Sequence, residues 1–229
     1  MIKYRKFRGA VMKKITKIEY QKNNKNRVNI YLDDSFAFGI DLNIMIKYSL
    51  SKNMELEEGF IEEILKAEEE INVYNYALSV LSRTFKSEKQ LIAKLTEKGY
   101  DKQFIDIAII KLKEKKYLDD EQYSEILINN KITVSKYGKR RIKQDLYNKG
   151  ISNDIIDEKL SLISDDDELG RALSLGRKKL RTIKNDDERR SIKLTNHLIN
   201  KGFEYSTVKK AVVALLKQEC CDFDDFDYL

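Results

Sequence analysis

His197, Cys220 and Cys221 are the only histidine and the only cysteines in the chain, so metal-bound or nucleophilic chemistry would have to start from them. They do not combine. His197 stands between Asn196 and Leu198 in an apolar-periodic segment, with no second His or Cys at ligand spacing, and reads as a structural helical residue. Cys220 and Cys221 are adjacent, which suits neither a bridged scaffold nor a zinc site lacking its second pair. The chain has no Gly-x-Gly-x-x-Gly stretch and no Gly-Lys-Ser/Thr step. Its carboxylates gather at helix starts and on acidic faces and mark no glycosidase-like pair. The expectation is a protein that is not an enzyme, with no cofactor and no metal.

The chemistry the residues do offer is electrostatic. In "SKYGKRRIK", 135–143, Lys136, Lys139, Arg140, Arg141 and Lys143 stand without an acid. At 100° per residue, Ile142 and Leu146 mark the core side of a helix, and Arg140, Lys143 and Tyr147 fall together on the other side. A basic strip with an exposed tyrosine suits phosphate contact with base stacking. "RALSLGRKKLRTIK", 171–184, adds six bases and no acid, among them Arg177, Lys178, Lys179 and Arg181. These nine residues, Lys136, Lys139, Arg140, Lys143, Tyr147, Arg177, Lys178, Lys179 and Arg181, are the candidate macromolecule-binding set. On sequence alone the alternative stays open that they are solvated faces and helix ends.

Charge is polarised along the chain. The total is +6, yet residues 1–30 hold ten Lys/Arg against Glu19 alone, while the last nine residues carry Asp222, Asp224, Asp225 and Asp227. In that tail Phe223, Phe226 and Tyr228 alternate with the aspartates; such an arm could shield a basic groove, dock on a partner, or do neither. No apolar run approaches the roughly 18 residues of a membrane span, and the basic start lacks a signal-peptide core, so a cytoplasmic protein without a membrane partner is expected. Residues 1–12 read as a basic leader outside the fold, and Met12 as an alternative start.

Three short stretches show what positions these groups. "LTEKGYD", "LYNKGIS" and "LINKGFE" place Gly99, Gly150 and Gly202 at intervals of 51 and 52 residues. Aligned on the glycine, every column is apolar: Leu91, Ile142, Leu194; Leu95, Leu146, Leu198; Tyr100, Ile151, Phe203; Ile105, Ile156, Val208; Ile109, Leu160, Val212. Spacings of four keep these on one helix face, and a glycine just past a helix end takes the left-handed turn that other residues resist. Each repeat is therefore helix, glycine turn, helix, preceded by a third helix. Starts are legible at Ser87, Asp119, Ser164 and Asn185, with further starts at Asp101 and Ser152. A period near 50 residues predicts a tandem, elongated array. The expected units are three-helix repeats over about 70–118, 119–163 and 164–219, then a tail over 220–229.

Residues 13–69 differ. "ITKIEY", "RVNIYL" and "FAFGI" read as a three-stranded antiparallel unit, with a hairpin at Asp33-Asp34-Ser35 and a helix starting at Asp41. From Glu55 onward the pattern reads as helical, and the acidic run Glu68–Glu70 as a solvated junction between two helices. The fold class is thus mainly α, with a small N-terminal β-rich unit.

These segments resemble the RecX family of bacterial recombination regulators. The resemblance covers roughly 70–215 and is most specific from Ala77 to Ile151. It is carried by Ser87, Glu88, Leu91, Lys94 and Leu95, and by Tyr117, Leu118, Asp119, Asp120 and Tyr123. The third repeat is looser, with Thr207 where isoleucine is more typical, and the strand-rich head is similar to an extension of many Gram-positive members. The resemblance implies a monomeric, non-enzymatic modulator of the RecA recombinase that lies along the groove of the RecA–DNA filament. Such a protein blocks filament extension or promotes disassembly, lowering strand exchange, ATP hydrolysis and co-protease activity. It supplies no short contact motif, so the binding set above rests on charge and phasing. The second reading is a general nucleic-acid-binding helical protein without a dedicated RecA partner, with direct single- or double-stranded DNA contact. A third is a scaffold for an unknown protein ligand.

Overall fold

The computed structural model describes the backbone of residues 12–183 and 189–224, with side chains as far as Lys217. The leader up to residue 11, the helix start at Asn185, the side chains beyond Lys217 and residues 225–229 lie outside what is described; the tail expected from residue 220 continues the last helix in its backbone as far as Asp224. Two compact units emerge: residues up to Arg83 with Lys94–Tyr117, and Thr84–Ala93 with everything from Leu118 on.

The first unit opens with β1 (Met12–Tyr20), β2 (Arg27–Leu32) and β3 (Ser35–Asp41), each antiparallel to the next. Met12 thus belongs to a strand, not to a leader. Asp33 and Asp34 both take positive φ, 47° and 67°, and close a two-residue hairpin in which Leu32 faces Ser35. This is the turn whose twist matches that of the strands. The imperfect alternation of "ITKIEY" has a cause: the register shifts between Ile15 and Lys17, so a bulge displaces Ile18 and Tyr20 by one position.

The sheet has four strands, not three, in the order β3-β2-β1-β4. Strand β4 (Glu55–Glu57) pairs with the start of β1, and its Leu56 is wholly buried. Glu-Leu-Glu is helix-forming by propensity and too short for periodicity to show; pairing with β1 decides its state. Helix α1 (Leu42–Lys47) follows β3, its first turn capped by the Asp41 carboxylate on the Asn43 N–H.

Helix α2 (Glu58–Leu81) runs unbroken through Glu68–Glu70, where a junction was expected. Glu68 is 5% exposed, so it is not a solvated residue. Its carboxylate accepts the Asp41 N–H at 2.7 Å and pairs with the Arg27 guanidinium at 2.7 Å, while Arg27 also donates to the Gly39 carbonyl. Because β3 is the outer strand, these contacts satisfy backbone groups along its open edge. Helix α3 (Glu88–Glu97) begins in the second unit and ends in the first, where α4 (Lys102–Glu114) packs on α2.

The second unit continues with α5 (Asp120–Thr133), α6 (Lys139–Lys149), α7 (Asn153–Ser161), α8 (Asp165–Leu180), α9 (Arg190–Asn200) and α10 (Tyr205–Asp224). Ser87 and Gln90 form a reciprocal capping box at α3, and Asp119, Ser152 and Ser164 each accept an N–H in the first turn of α5, α7 and α8. Gly99, Gly150 and Gly202 take φ of 93°, 85° and 86°. After each, the next N–H reaches back to the carbonyl of Leu95, Leu146 or Leu198, the same six-residue closure three times. The aligned apolar columns are buried throughout, with one departure at Tyr100. A fourth such turn has no glycine: Lys116 takes φ 56°, and the Tyr117 N–H reaches the Leu112 carbonyl.

Candidate binding surface and the joints beneath it

The glycine turns do more than reverse the chain. The Gly150 turn lies against the start of α3: Ser87 Oγ donates to the Lys149 carbonyl, and a Cβ on Gly150 would overlap the Lys89 side chain. The Gly202 turn lies against the start of α6. There the Gly138 N–H donates to the Lys201 carbonyl, the Arg140 N–H to the Gly202 carbonyl, and a Cβ on Gly202 would strike the Arg141 backbone. Each joint has a second bond of one kind. The Asp120 carboxylate of α5 accepts the Glu88 N–H, and the Glu168 carboxylate of α8 accepts the Lys139 N–H, both at 2.8 Å. An acid thus sits at the N-terminus of α3 and of α6, where the helix dipole favours it. Glu168 is 1% exposed, and burial pushes its carboxyl above the ordinary range against the pull of Lys139 and Arg171. At Gly99 a Cβ would meet nothing within 4 Å, and Tyr100 is only half-buried, tilted against Tyr76, whose own ring lies under the Lys98 ammonium.

The joint on α6 carries the basic strip. Ile142 and Leu146 are fully buried, while Arg140, Lys143 and Tyr147 are exposed, Tyr147 by 60%. The helical phasing therefore places these three on the solvent side, as expected. The neighbouring lysines are engaged: Lys139 Nζ lies 2.8 Å from Asp165, Lys143 Nζ 2.6 Å from Asp157, and Lys136 Nζ 3.2 Å from the Ser174 hydroxyl. Lys139 holds the Asp165 carboxyl below its usual range. Ion pairs this exposed contribute about 0–1 kcal/mol and yield readily to a polyanion. Arg140 has no side-chain partner among the described residues.

Sequence reasoning missed the centre of this surface. Lys131, Arg141 and Lys201 converge on the ring of Tyr137, with 5.4, 5.6 and 5.3 Å to its centroid. Asp145 balances two of them, at 2.6 Å from Lys131 and 3.7 Å from Arg141. Three cations from α5, α6 and the Gly202 turn meet around one aromatic ring, each gaining about 0.5–1 kcal/mol from it. The signal in the sequence was the lysine of the third Lys-Gly step, which reads there as a helix-end residue only.

Arg177, Lys178, Lys179 and Arg181 form a second patch at the C-terminal end of α8, where the macrodipole favours cations. Along α8 it is set back from the start of α6. The start of α6 sits at Glu168, and from there to Arg177–Arg181 is about 14–20 Å of helix axis at 1.5 Å per residue. Lys136, beside Ser174, lies between the two levels. His197 sits between the second patch and Lys201: burial, then Lys179 and Lys201, push its pKa down. No described helix is long and apolar enough to cross a membrane.

Family models match nearly the whole described chain. "Regulatory protein RecX N-terminal domain" covers residues 13–57, and the first, second and third three-helix domains of RecX cover 74–112, 119–160 and 165–212. The chain is 39% identical over 211 residues to the regulatory protein RecX of Clostridium perfringens (strain SM101 / Type A), covering 91% of this chain and 99% of that one. To that of Clostridioides difficile (strain 630) it is 37% identical over 214 residues, covering 93% and 98%. A crystal structure of regulatory protein RecX superimposes with a TM-score of 0.74 at 32% identity, over 87% of this chain and 98% of that one. That of RecX from Lactobacillus salivarius gives 0.62 at 26% identity, over 66% and 99%.

Proposed function

The chain belongs to the RecX family of regulatory proteins, which are not enzymes, and we propose that it binds RecA and the RecA–DNA filament. Binding limits filament extension or promotes disassembly, and so modulates recombination, DNA repair and the SOS response. The observation that carries this reading is the end-to-end correspondence with regulatory protein RecX, 99% of whose length is matched. The chain acts as a cytoplasmic monomer. Arg140, Lys143 and Tyr147, with Lys136 and Lys139 behind them, meet DNA phosphates or acidic RecA surfaces at the α6 strip, and Arg177, Lys178, Lys179 and Arg181 do so at the end of α8. The test is filament length on single-stranded DNA with ATP, read by electron microscopy. Equimolar protein shortens the filaments; an unchanged length distribution refutes the reading.

The exposed Arg140 beside Tyr147 also favours a second reading, a nucleic-acid-binding protein without a RecA partner. It requires tight binding to DNA alone with a steep salt dependence. Equal affinity for naked and RecA-coated DNA would support it over the first.

A further inference from the structure

The joint is made twice, and its parts occur a third time with one side missing. At Gly150 and Gly202 the turn offers carbonyls to the small first residue of a helix: Lys149 accepts from Ser87 Oγ, and Lys201 and Gly202 accept from the Gly138 and Arg140 N–H groups. An acid on the helix that opens the turn's own repeat, Asp120 or Glu168, accepts one more N–H of that helix start. The Gly99 turn has the same left-handed glycine, the same closure from the Tyr100 N–H to the Leu95 carbonyl, and the same preceding lysine. Lys98 and Gly99 are nevertheless exposed, whereas Gly150 is half-buried and Gly202 buried. Among the described residues the Lys98 and Gly99 carbonyls accept no hydrogen bond.

The acid is in place as well. Glu69 lies on α2, the helix that opens the first repeat, and shares a face with Tyr76 at 100° per residue. The Tyr76 and Tyr100 rings stand 5.7 Å apart, and burial, then Glu69, push the pKa of the Tyr100 hydroxyl up. Glu69 makes no hydrogen bond or ion pair among the described residues. Bare carbonyls at the C-terminal end of α3, with a carboxylate beside them, call for donors and positive charge. A helix N-terminus brings both, because its first N–H groups lack acceptors and carry the positive end of the dipole. A phosphodiester backbone brings only acceptors to a site made of acceptors. A second copy of this chain lacks the match: Arg190 stands before Gly202 at the distance that separates Ser87 from Gly99 and Gly138 from Gly150, a long side chain where the others are small.

We propose that the Gly99 turn and Glu69 dock the first turn of a helix on the protein partner. Its cap residue is Ser, Thr or Gly, small enough to reach the glycine, and donates an O–H or N–H to the Lys98 and Gly99 carbonyls, while Glu69 accepts the next N–H. The partner's helix takes the place that α3 and α6 hold at the other two joints. Naming RecA as that partner rests on the function proposed above.

The test compares wild type, Gly99→Asn and Glu69→Ala for affinity to RecA filaments on single-stranded DNA, affinity to the same DNA without RecA, melting temperature and sedimentation. Asparagine tolerates the left-handed turn but puts a side chain where the partner's helix would sit. Glu69→Ala removes the acceptor and leaves a good helix former, so it decides the matter should Gly99→Asn lose its fold. Each variant should lose about tenfold or more in filament affinity and keep its affinity for bare DNA. A folded variant that binds filaments like wild type overturns the proposal. So does an equal loss on bare DNA, which would not concern the protein partner. A wild-type dimer that Gly99→Asn dissociates overturns it in favour of a second copy. Wild type that binds no filament refutes the RecA reading, and this docking partner with it.

Discussion

Gly99, Gly150 and Gly202 share one backbone conformation but not one neighbourhood, and the difference is measurable. Any side chain in the left-handed region costs about 1–2 kcal/mol. Gly99→Ala should lose about that much, because its Cβ meets open space. Gly202→Ala adds a collision with the Arg141 backbone, which cannot swing aside, so its loss should be at least twice as large in urea unfolding. Gly138→Ala should behave like Gly202→Ala, since its Cβ would strike the Gly202 carbonyl from the other side of the same joint. Glu168 tests the acid at that joint. Its carboxyl is held above the ordinary value of 4.5, chiefly by burial, so the folded state binds the proton more tightly than the unfolded state. From this group alone, stability rises as pH falls through the folded value towards 4.5 and declines as pH rises again. Glu168→Gln keeps an acceptor for the Lys139 N–H and removes that slope. The stability of the Glu168→Gln variant relative to wild type should therefore increase from pH 4.5 to pH 7. Glu168→Ala leaves the N–H unpaired and should cost about 1–3 kcal/mol at either pH.

At the scale of elements, the periodic parts were legible and the parts set by distant contacts were not. The aligned leucines and isoleucines announced the helices and their buried faces, because a period of 3.6 is a property of the segment itself. The helix starts at Ser87, Asp119 and Ser152 were legible for the same reason, since a cap bonds within one turn. Strand β4 was hidden, because Glu55–Glu57 becomes a strand only by pairing with β1, more than forty residues earlier in the chain. Glu68 was misread because its partners, Arg27 and the Asp41 N–H, come from the sheet. Glu68→Ala should cost about 1–3 kcal/mol, because the Asp41 N–H loses its acceptor while Arg27 keeps only Asn72 and the Gly39 carbonyl, and should open the β3 edge to aggregation, seen by light scattering. For the candidate surface, charge and phasing gave the exposed face of α6, but the cations around Tyr137 come from three segments that only the fold brings together. The strip makes its own prediction. Arg140→Glu with Lys143→Glu should reduce DNA affinity and flatten its salt dependence by about two units of slope, with an unchanged helical circular dichroism spectrum.

Over the whole molecule, the repeats are joined by one device used twice in the second unit: a glycine turn set on a helix start, with a carboxylate from the next helical group on that helix's first N–H. The candidate interaction surface at the α6 strip lies beside one of these joints, where the Gly202 turn meets the start of α6. On the function proposed above, the protein acts by occupying a filament, not by chemistry on a substrate. The most direct measurement of that claim is the steady-state ATP hydrolysis rate of RecA on single-stranded DNA, titrated with this protein up to equimolar amounts. The account predicts a dose-dependent fall in rate, with the Arg140→Glu, Lys143→Glu variant needing more protein for the same effect. An unchanged rate at equimolar wild-type protein would contradict it.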